Sequence, residues 1–361
     1  MEGLPSIPML VIADHQRHDS VASGPVADLK PLSSLAEPLA TWFDRHARPL
    51  PWRTDRTPYR VWIAEIMLQQ TRVETIRDRF QTWMQRFPTL DALAQAREEE
   101  VLALWEGLGY YRRARALHRA ARHLSFDHKG RFPSDEDGWR ALPGIGPYTA
   151  AAIVAFAYGH RAVAVDGNVR RVGARLLALA HPNDRDLKAR LAALLPRERP
   201  ERGTEALIEL GAVVCTPRAP RCAVCPLAPG CTAFQNGTTA THPAPRSPRP
   251  IPRRERFGLV HLRNGSIWLE RRPSEGLLGG LWGVPQCEDP VPGRRLEPLH
   301  HTYSHFQLRL IPIVTTEGPA SEGASEARWL DADACRATPV STLDRTLLAR
   351  LEADGLLRSS A

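Results

Sequence analysis

Lysine is almost missing from this chain. Of its 48 basic residues only Lys30, Lys129 and Lys188 are lysines. The others are arginines, whose guanidinium stays protonated and is not a nucleophile, so any reaction through a lysine amine has three candidates. Cysteine is also scarce, at six in 361 residues, and four of the six fall within one short stretch, which argues against a disulfide framework spread through a secreted fold. No run of about 18 uncharged apolar residues occurs to span a membrane. The N-terminal MLVIA is too short for a signal-peptide core and Asp14 follows it closely, which predicts a chain retained in a reducing cytoplasm.

What is present points to a folded, basic, multidomain chain. A length of 361 residues exceeds what one core usually holds, so at least two domains are expected. With 43% apolar and 24% charged residues the chain can bury a core, which excludes wholesale disorder. The net charge of +8 favours a polyanionic partner. Proline, 32 residues, implies linkers or many hard helix stops.

From about residue 35 to 236 apolar residues recur at helical spacing. Candidate helices are LAEPLATWFDRHA, PYRVWIAEIMLQQT, VETIRDRFQTWMQRF, EEEVLALWEGLG, RRARALHRAARHL, YTAAAIVAFAYG, NVRRVGARLLALA and EALIELGAVVC. YTAAAIVAFAYG, residues 148–159, is apolar on nearly all sides and is expected to be a central buried helix. HPAPRSPRPIPRRER then reads as a semi-extended tether. Beyond it FGLVHL, SIWLE and FQLRLIPIV are β-type runs, and TLDRTLLARLEADG supplies a closing helix. The expected division is a loose extension over 1–33, an all-α domain over 34–236, a Pro-rich linker over 237–255 and a smaller α+β domain over 256–361. There is no internal repeat.

Several local patterns could carry chemistry. In LPGIGPYTA, Leu142 to Ala150, Gly144 and Gly146 allow a tight turn whose N–H groups, with the start of the next helix, form an anion cradle. A plain helix-turn-helix connection uses similar residues. Asp166, in AVAVDGNVRRV, sits where a helix N-cap belongs. There the helix dipole would keep it ionised, and an anion is what stabilises a sugar cation. Glu65, in VWIAEIMLQQT, either turns to solvent, as periodicity favours, or lies desolvated with the raised pKa a general acid needs. Tyr110 and Tyr111 precede Arg112, Arg113 and Arg115. Such aromatics pack at a helix start, or pry open a duplex beside their arginines. Cys215, Cys222, Cys225 and Cys231, spaced C-x6-C-x2-C-x5-C, form a metal-binding loop whose spacing leaves zinc and iron–sulfur both open. Arg218 and Arg221 in that loop are placed to meet phosphate.

Five of these segments stand in one order: VWIAEIMLQQT, GLGYYRRARALH, LPGIGPYTA, VDGNVRRV and the cysteine cluster. Together they resemble adenine DNA glycosylases of the MutY type, in the helix-hairpin-helix DNA glycosylase superfamily, closely over 35–236 and more loosely in the tail. The resemblance implies an all-α helix-hairpin-helix domain with an iron–sulfur loop, followed by a Nudix-like α+β domain. It implies a structural 4Fe-4S cluster on the four cysteines and a DNA phosphate at the Gly144–Gly146 turn. Glu65 becomes the acid that protonates adenine, also able to activate water; Asp166 becomes the anion, or transient nucleophile, facing the anomeric carbon. Tyr148 and Asn168 orient the group around them. Intercalation near the lesion falls to Gln70 and Tyr110, and the adenine pocket to Trp52, Arg53 and Glu205, with Leu68 on the same substrate face. Thr204 stands where the family often has asparagine.

The same resemblance extends to ERRPSEGLLGGLWGVPQ and HHTYSHFQLRL. These look like the family's Nudix-like recognition domain, in which a Ser–His turn, here Ser304 and His305, reads 8-oxoguanine. Tyr303 replaces the usual phenylalanine. No glutamate-rich metal box is present, which argues for recognition rather than pyrophosphatase chemistry. In bifunctional relatives resembling endonuclease III a lysine occupies the position of Tyr148, and a phenol cannot form an imine. The expectation is therefore a monomeric enzyme at the nucleoid that removes adenine opposite 8-oxoguanine or guanine in duplex DNA without efficient strand cleavage. The competing readings are a glycosylase-lyase and a non-catalytic lesion binder.

Overall fold

The computed structural model describes residues 29–245, 250–273, 276–316, 324 and 326–359. The extension up to residue 28 and positions 246–249 of the Pro-rich stretch lie outside them.

Helices occupy the first two thirds: α1 (Ala36–His46), α2 (Pro58–Leu68), α3 (Val73–Arg86), α4 (Leu90–Gln95), α5 (Glu98–Leu104), α6 (Arg112–Arg122), α7 (Glu136–Arg140), α8 (Pro147–Tyr158), α9 (Gly167–Leu176), α10 (Asp184–Leu191), α11 (Pro200–Val213) and α12 (Thr232–Gln235). The sequence pattern misses α4, α7 and α10, which are too short for a clear period. Each has a capping side chain on a backbone N–H, from Thr89, Asp135 and Asn183. α11 starts earlier than the EALIELG pattern suggests, because Pro200 suits a first helical turn.

α8 is the buried axis expected from its composition, with Thr149 to Ala155 all buried. It stops at Gly159, whose φ of 70° closes the last turn onto the carbonyls of Ala155 and Val154. α2 packs against α8 and shares its core with Trp62, Trp83, Trp105 and Trp139. A second core under α1, α9 and α11 holds Phe43, Val169, Leu176 and Leu207.

The remainder is an α+β unit. β1 (Arg253–Val260) opens inside the stretch expected to be linker, and pairs in parallel with β8 (Gln307–Val314), Phe257 opposite Ile311. β5 (Gln286–Cys287), β6 (Arg294–Arg295) and β7 (Leu299–Thr302) complete that sheet. β2 (Leu262–Arg263), β3 (Ser266–Arg271), β4 (Trp282–Gly283) and β9 (Glu326–Leu330) form the second. α13 (Ala332–Ala337) and α14 (Thr342–Ala353) close the unit.

The two units are in contact. Leu281 joins the core built around α2 and α8. Arg345 on α14 forms a bidentate ion pair with Glu106, and the Tyr111 hydroxyl donates to the Val340 carbonyl. No helix among the described residues is long and apolar enough to cross a membrane.

Candidate active site

Glu65 lies on α2, which is buried from Tyr59 to Met67 except at Arg60. The helix has no polar stripe to turn the carboxylate outward, so the solvent position favoured by periodicity is not taken. Glu65 is 5% exposed and its Oε2 has no hydrogen-bond partner. Burial pushes its pKa from 4.5 up to about 7, with the nearby Asp166 and Glu205 carboxylates adding to the rise. A hydrogen bond with Tyr148 and the Arg53 charge pull the other way.

Tyr148 enters from the first turn of α8, directly after the hairpin turn. Gly144 there has φ of +79°, and a Cβ would sit 2.7 Å from the Ala116 Cβ on α6. Gly146 differs: it takes φ of −94° as the N-cap of α8 and has open space around it. Only the first of the two glycines therefore needs its freedom for backbone reasons. The second leaves the helix start bare.

Asp166 caps α9, its Oδ1 accepting from the Val169 N–H at 2.7 Å. Asn168 donates to its other oxygen at 3.0 Å. The cap expected from sequence is present, but the electrostatic outcome differs. Burial pushes the carboxyl above its ordinary value, outweighing the hydrogen bonds that oppose it. Arg171 donates to Asn168 Oδ1 and to the carbonyls of Gly211 and Cys215. It orients Asn168 from behind and ties the cap to the cysteine loop.

Glu65, Tyr148, Asp166 and Asn168 line one cleft of about 650 Å³. Trp52, Arg53, Leu68, Gln70 and Glu205 line it as well. Its far wall is an ionic lattice. Glu205 is held by Arg56 at 2.8 Å, with Arg53 at 3.7 Å and Arg202 at 3.8 Å. Glu209, fully buried, accepts from Arg48 and Arg53 at 2.7 and 2.9 Å, and those guanidinium groups hold its carboxyl below the usual range despite burial. Glu209, Arg48 and Arg56 were not anticipated. The signal for Glu209 is its spacing, one turn after Glu205 on the same helix face. Thr204 is buried and donates to the Ala162 carbonyl at 2.6 Å.

Gln70 also borders a neighbouring groove with Tyr110 and Gly144. Gln70 and Tyr110 both have positive φ, 57° and 49°, which side chains with a Cβ seldom adopt. Arg113 holds the two loops together. Its guanidinium donates to the carbonyls of Ile66, Met67 and Gln69 on one side, and of Leu108 and Gly109 on the other. This corrects the expectation that Arg113 and Arg115 meet the duplex. Both are buried, Arg115 pairing with Glu98 and donating to the Gly279 carbonyl. Tyr111 is buried too, leaving Tyr110 as the exposed member of the pair.

None of the six cysteines is joined in a disulfide. Cys215, Cys222, Cys225 and Cys231 line one small apolar pocket. Burial raises the thiols of Cys222, Cys225 and Cys231, Cys225 to about 12, with the neighbouring cysteines adding to each rise. Arg175, one turn beyond Arg171, reaches the Cys215 sulfur at 3.4 Å and donates to the Thr216 and Pro217 carbonyls. Among the described residues no three His, Cys, Asp or Glu side chains gather as for a single metal ion. Arg218 and Arg221 are both exposed, with Arg221 donating to the Val213 carbonyl. Ser304 and His305 are exposed in the turn between β7 and β8, with Ser304 Oγ 3.3 Å from His305 Nδ1 and Tyr303 packed on Phe306.

A helical domain that brings two carboxylates to one cleft, with a hairpin turn leading into the helix that carries Tyr148, followed by a sheet unit, defines a base-excision glycosylase with an appended α+β domain. Residues 63–197 match the HhH-GPD superfamily of base excision DNA repair proteins, and residues 256–350 match the NUDIX domain. The structure of a thermostable thymine-DNA glycosylase superposes with a TM-score of 0.53 at 26% identity, covering 57% of this chain and 97% of that one. Adenine DNA glycosylase of Mus musculus is 32% identical over 84% of this chain and 75% of its own length. The Homo sapiens protein is 32% identical over 87% and 73%. The chain belongs to the adenine DNA glycosylase family.

Proposed function

We propose that this enzyme acts where adenine faces 8-oxoguanine or guanine in duplex DNA, and that it stops at the abasic site. The observation that carries the reading is Glu65, buried, with one unpartnered oxygen in the cleft and a pKa near 7. Expelling a purine from an electron-rich sugar needs a proton for the leaving base and an anion beside the oxocarbenium-like transition state. Glu65 is the group able to hold that proton at neutral pH. Asp166, fixed by Val169 and Asn168, is the anion facing the sugar carbon. Trp52 and the Arg53–Glu205 pair bound the space for an adenine flipped out of the stack, at a cost of a few kcal/mol. The Gly144–Gly146 turn takes a phosphate, Gln70 and Tyr110 enter the duplex, and Ser304 and His305 read the opposite base.

The absence of lyase activity rests on Tyr148 and on where the lysines lie. Lys188 pairs with Glu136 at 3.1 Å, and no lysine lines the cleft among the described residues. Four cysteines around one apolar pocket, with Arg175 beside Cys215, fit a 4Fe-4S group held by Cys215, Cys222, Cys225 and Cys231. When bound, the group supplies a crosslink to a segment with little core of its own. The thiols must lose their raised-pKa protons as it binds.

The test is duplex carrying adenine opposite 8-oxoguanine, guanine or thymine, with free adenine and strand breaks measured before and after alkali. Adenine release with breaks only after alkali is expected for the first two duplexes. Breaks without alkali at the rate of adenine release refute the monofunctional reading, and equal release opposite thymine refutes the mispair preference.

A further inference from the structure

The loop between α5 and α6 is gripped from both ends by the C-terminal unit. Before Tyr110, Glu106 receives Arg345 through Nε–Oε1 and Nη2–Oε2 contacts, both 2.8 Å. After it, the Tyr111 hydroxyl donates to the Val340 carbonyl at 3.2 Å. The Arg345 fork is itself aimed, with Nη1 on the Cys335 carbonyl at 2.7 Å and Nη2 on the Thr338 carbonyl at 2.9 Å. Between the two grips the backbone is left-handed at Gly107, Gly109 and Tyr110, with φ of 86°, 67° and 49°. A tyrosine stays there only where its surroundings over-determine it. From within the helical domain, Trp105 donates to the Gly109 carbonyl and Arg113 to those of Leu108 and Gly109.

We propose that Arg345 is a positioning residue through which the C-terminal unit holds Tyr110 in its duplex-entering conformation. This rests on the reading of Tyr110 as the side chain that enters the stack. The unit bearing Ser304 and His305 is then mechanically joined to the wedge, so opposite-base reading and unstacking share one rigid connection. A bidentate guanidinium–carboxylate pair suits this role because it fixes direction as well as distance.

The experiment uses the full chain and a duplex with 2-aminopurine beside adenine opposite 8-oxoguanine. Fluorescence unstacking is followed in a Glu65→Gln background, and single-turnover adenine release in the otherwise native enzyme. Arg345→Ala and Glu106→Gln should each reduce both signals about tenfold, the scale of one close coupled pair. Each should leave affinity for undamaged duplex within about twofold, since phosphate contacts carry that binding. Tyr110→Ala should show the same loss, with Arg345→Ala adding less than about twofold to it, because two changes acting through one element are not additive. If Tyr110→Ala leaves the fluorescence intact, the wedge reading fails. If Tyr110→Ala loses it while Glu106→Gln and Arg345→Ala do not, the wedge stands and the positioning role is overturned. Losses that multiply in the double variant overturn it as well. Glu106→Gln is nearly isosteric and sits on the opposite unit, so the test survives if Arg345→Ala does not fold.

Discussion

The rate of base release should fall as pH rises through neutrality, and Glu65 sets where. A carboxyl at about 7 is roughly nine-tenths protonated at pH 6, about half at pH 7 and about a tenth at pH 8. If the protonated form delivers the proton to adenine, single-turnover release should lose about tenfold per pH unit above 7. The same group has a stability signature of fixed sign. Moving a carboxyl from 4.5 to about 7 makes its neutral form about 3 kcal/mol easier to keep in the fold than in the unfolded chain. That contribution is complete below pH 4.5 and disappears as pH rises through 7. Glu65→Gln removes the ionisable group, so between pH 5 and pH 8.5 its stability relative to the native chain should improve by up to about 3 kcal/mol. The assays are quenched adenine release from pH 5.5 to 9, and chemical unfolding of both proteins at the two pH values. A rate that is flat or climbs between pH 7 and 9 refutes the acid role. A stability difference unchanged between pH 5 and 8.5 refutes the buried, proton-retaining carboxyl on which it rests.

Three substitutions probe the site from other directions. Glu65→Gln should bind A:8-oxoguanine duplex within about threefold of the native enzyme while losing base release by the 10²–10⁴ typical of a removed acid–base group; gel-shift titration beside single-turnover assay checks this, and substantial residual release removes Glu65 from its role. Gly144→Ala should destabilise the chain by about 1–3 kcal/mol through the positive φ and the Ala116 contact, whereas Gly146→Ala, with φ of −94° and free space, should fold normally. Thermal melting of the pair decides it, and equal melting of the two variants contradicts the packing argument.

The main outlines of this molecule were readable because its strongest signals are local. α8 is apolar on every side and ends at a glycine, and Asp166 occupies a capping position; both are decided by near neighbours in sequence. What escaped is tertiary. The side chains of α2 are covered from all directions by residues distant in the chain, so Glu65 has no outward face to choose, and amphipathic reasoning pointed the wrong way. Arg113 and Arg115 follow an exposed tyrosine and look like phosphate ligands. Their spacing along α6 instead aims them at carbonyl groups of loops far away in sequence. Arg171 could be placed near Asp166 from sequence, but not its reach across to Cys215. Glu209 left a visible trace, a second carboxylate one turn after the first. Its meaning depended on Arg48, which lies 161 residues away.

The near-exclusive use of guanidinium around the cleft matters after bond cleavage as well as before it. An abasic sugar opens to an aldehyde, which condenses with free amines. Arg48, Arg53, Arg56 and Arg72 line this cleft, the first three held by Glu205 and Glu209, and a guanidinium does not form an imine at physiological pH. A lysine-bordered cleft of equal charge would leave its own product able to capture the protein. On the proposal that the enzyme stops at the abasic site, this lining leaves the aldehyde no lysine amine to condense with among the described cleft residues.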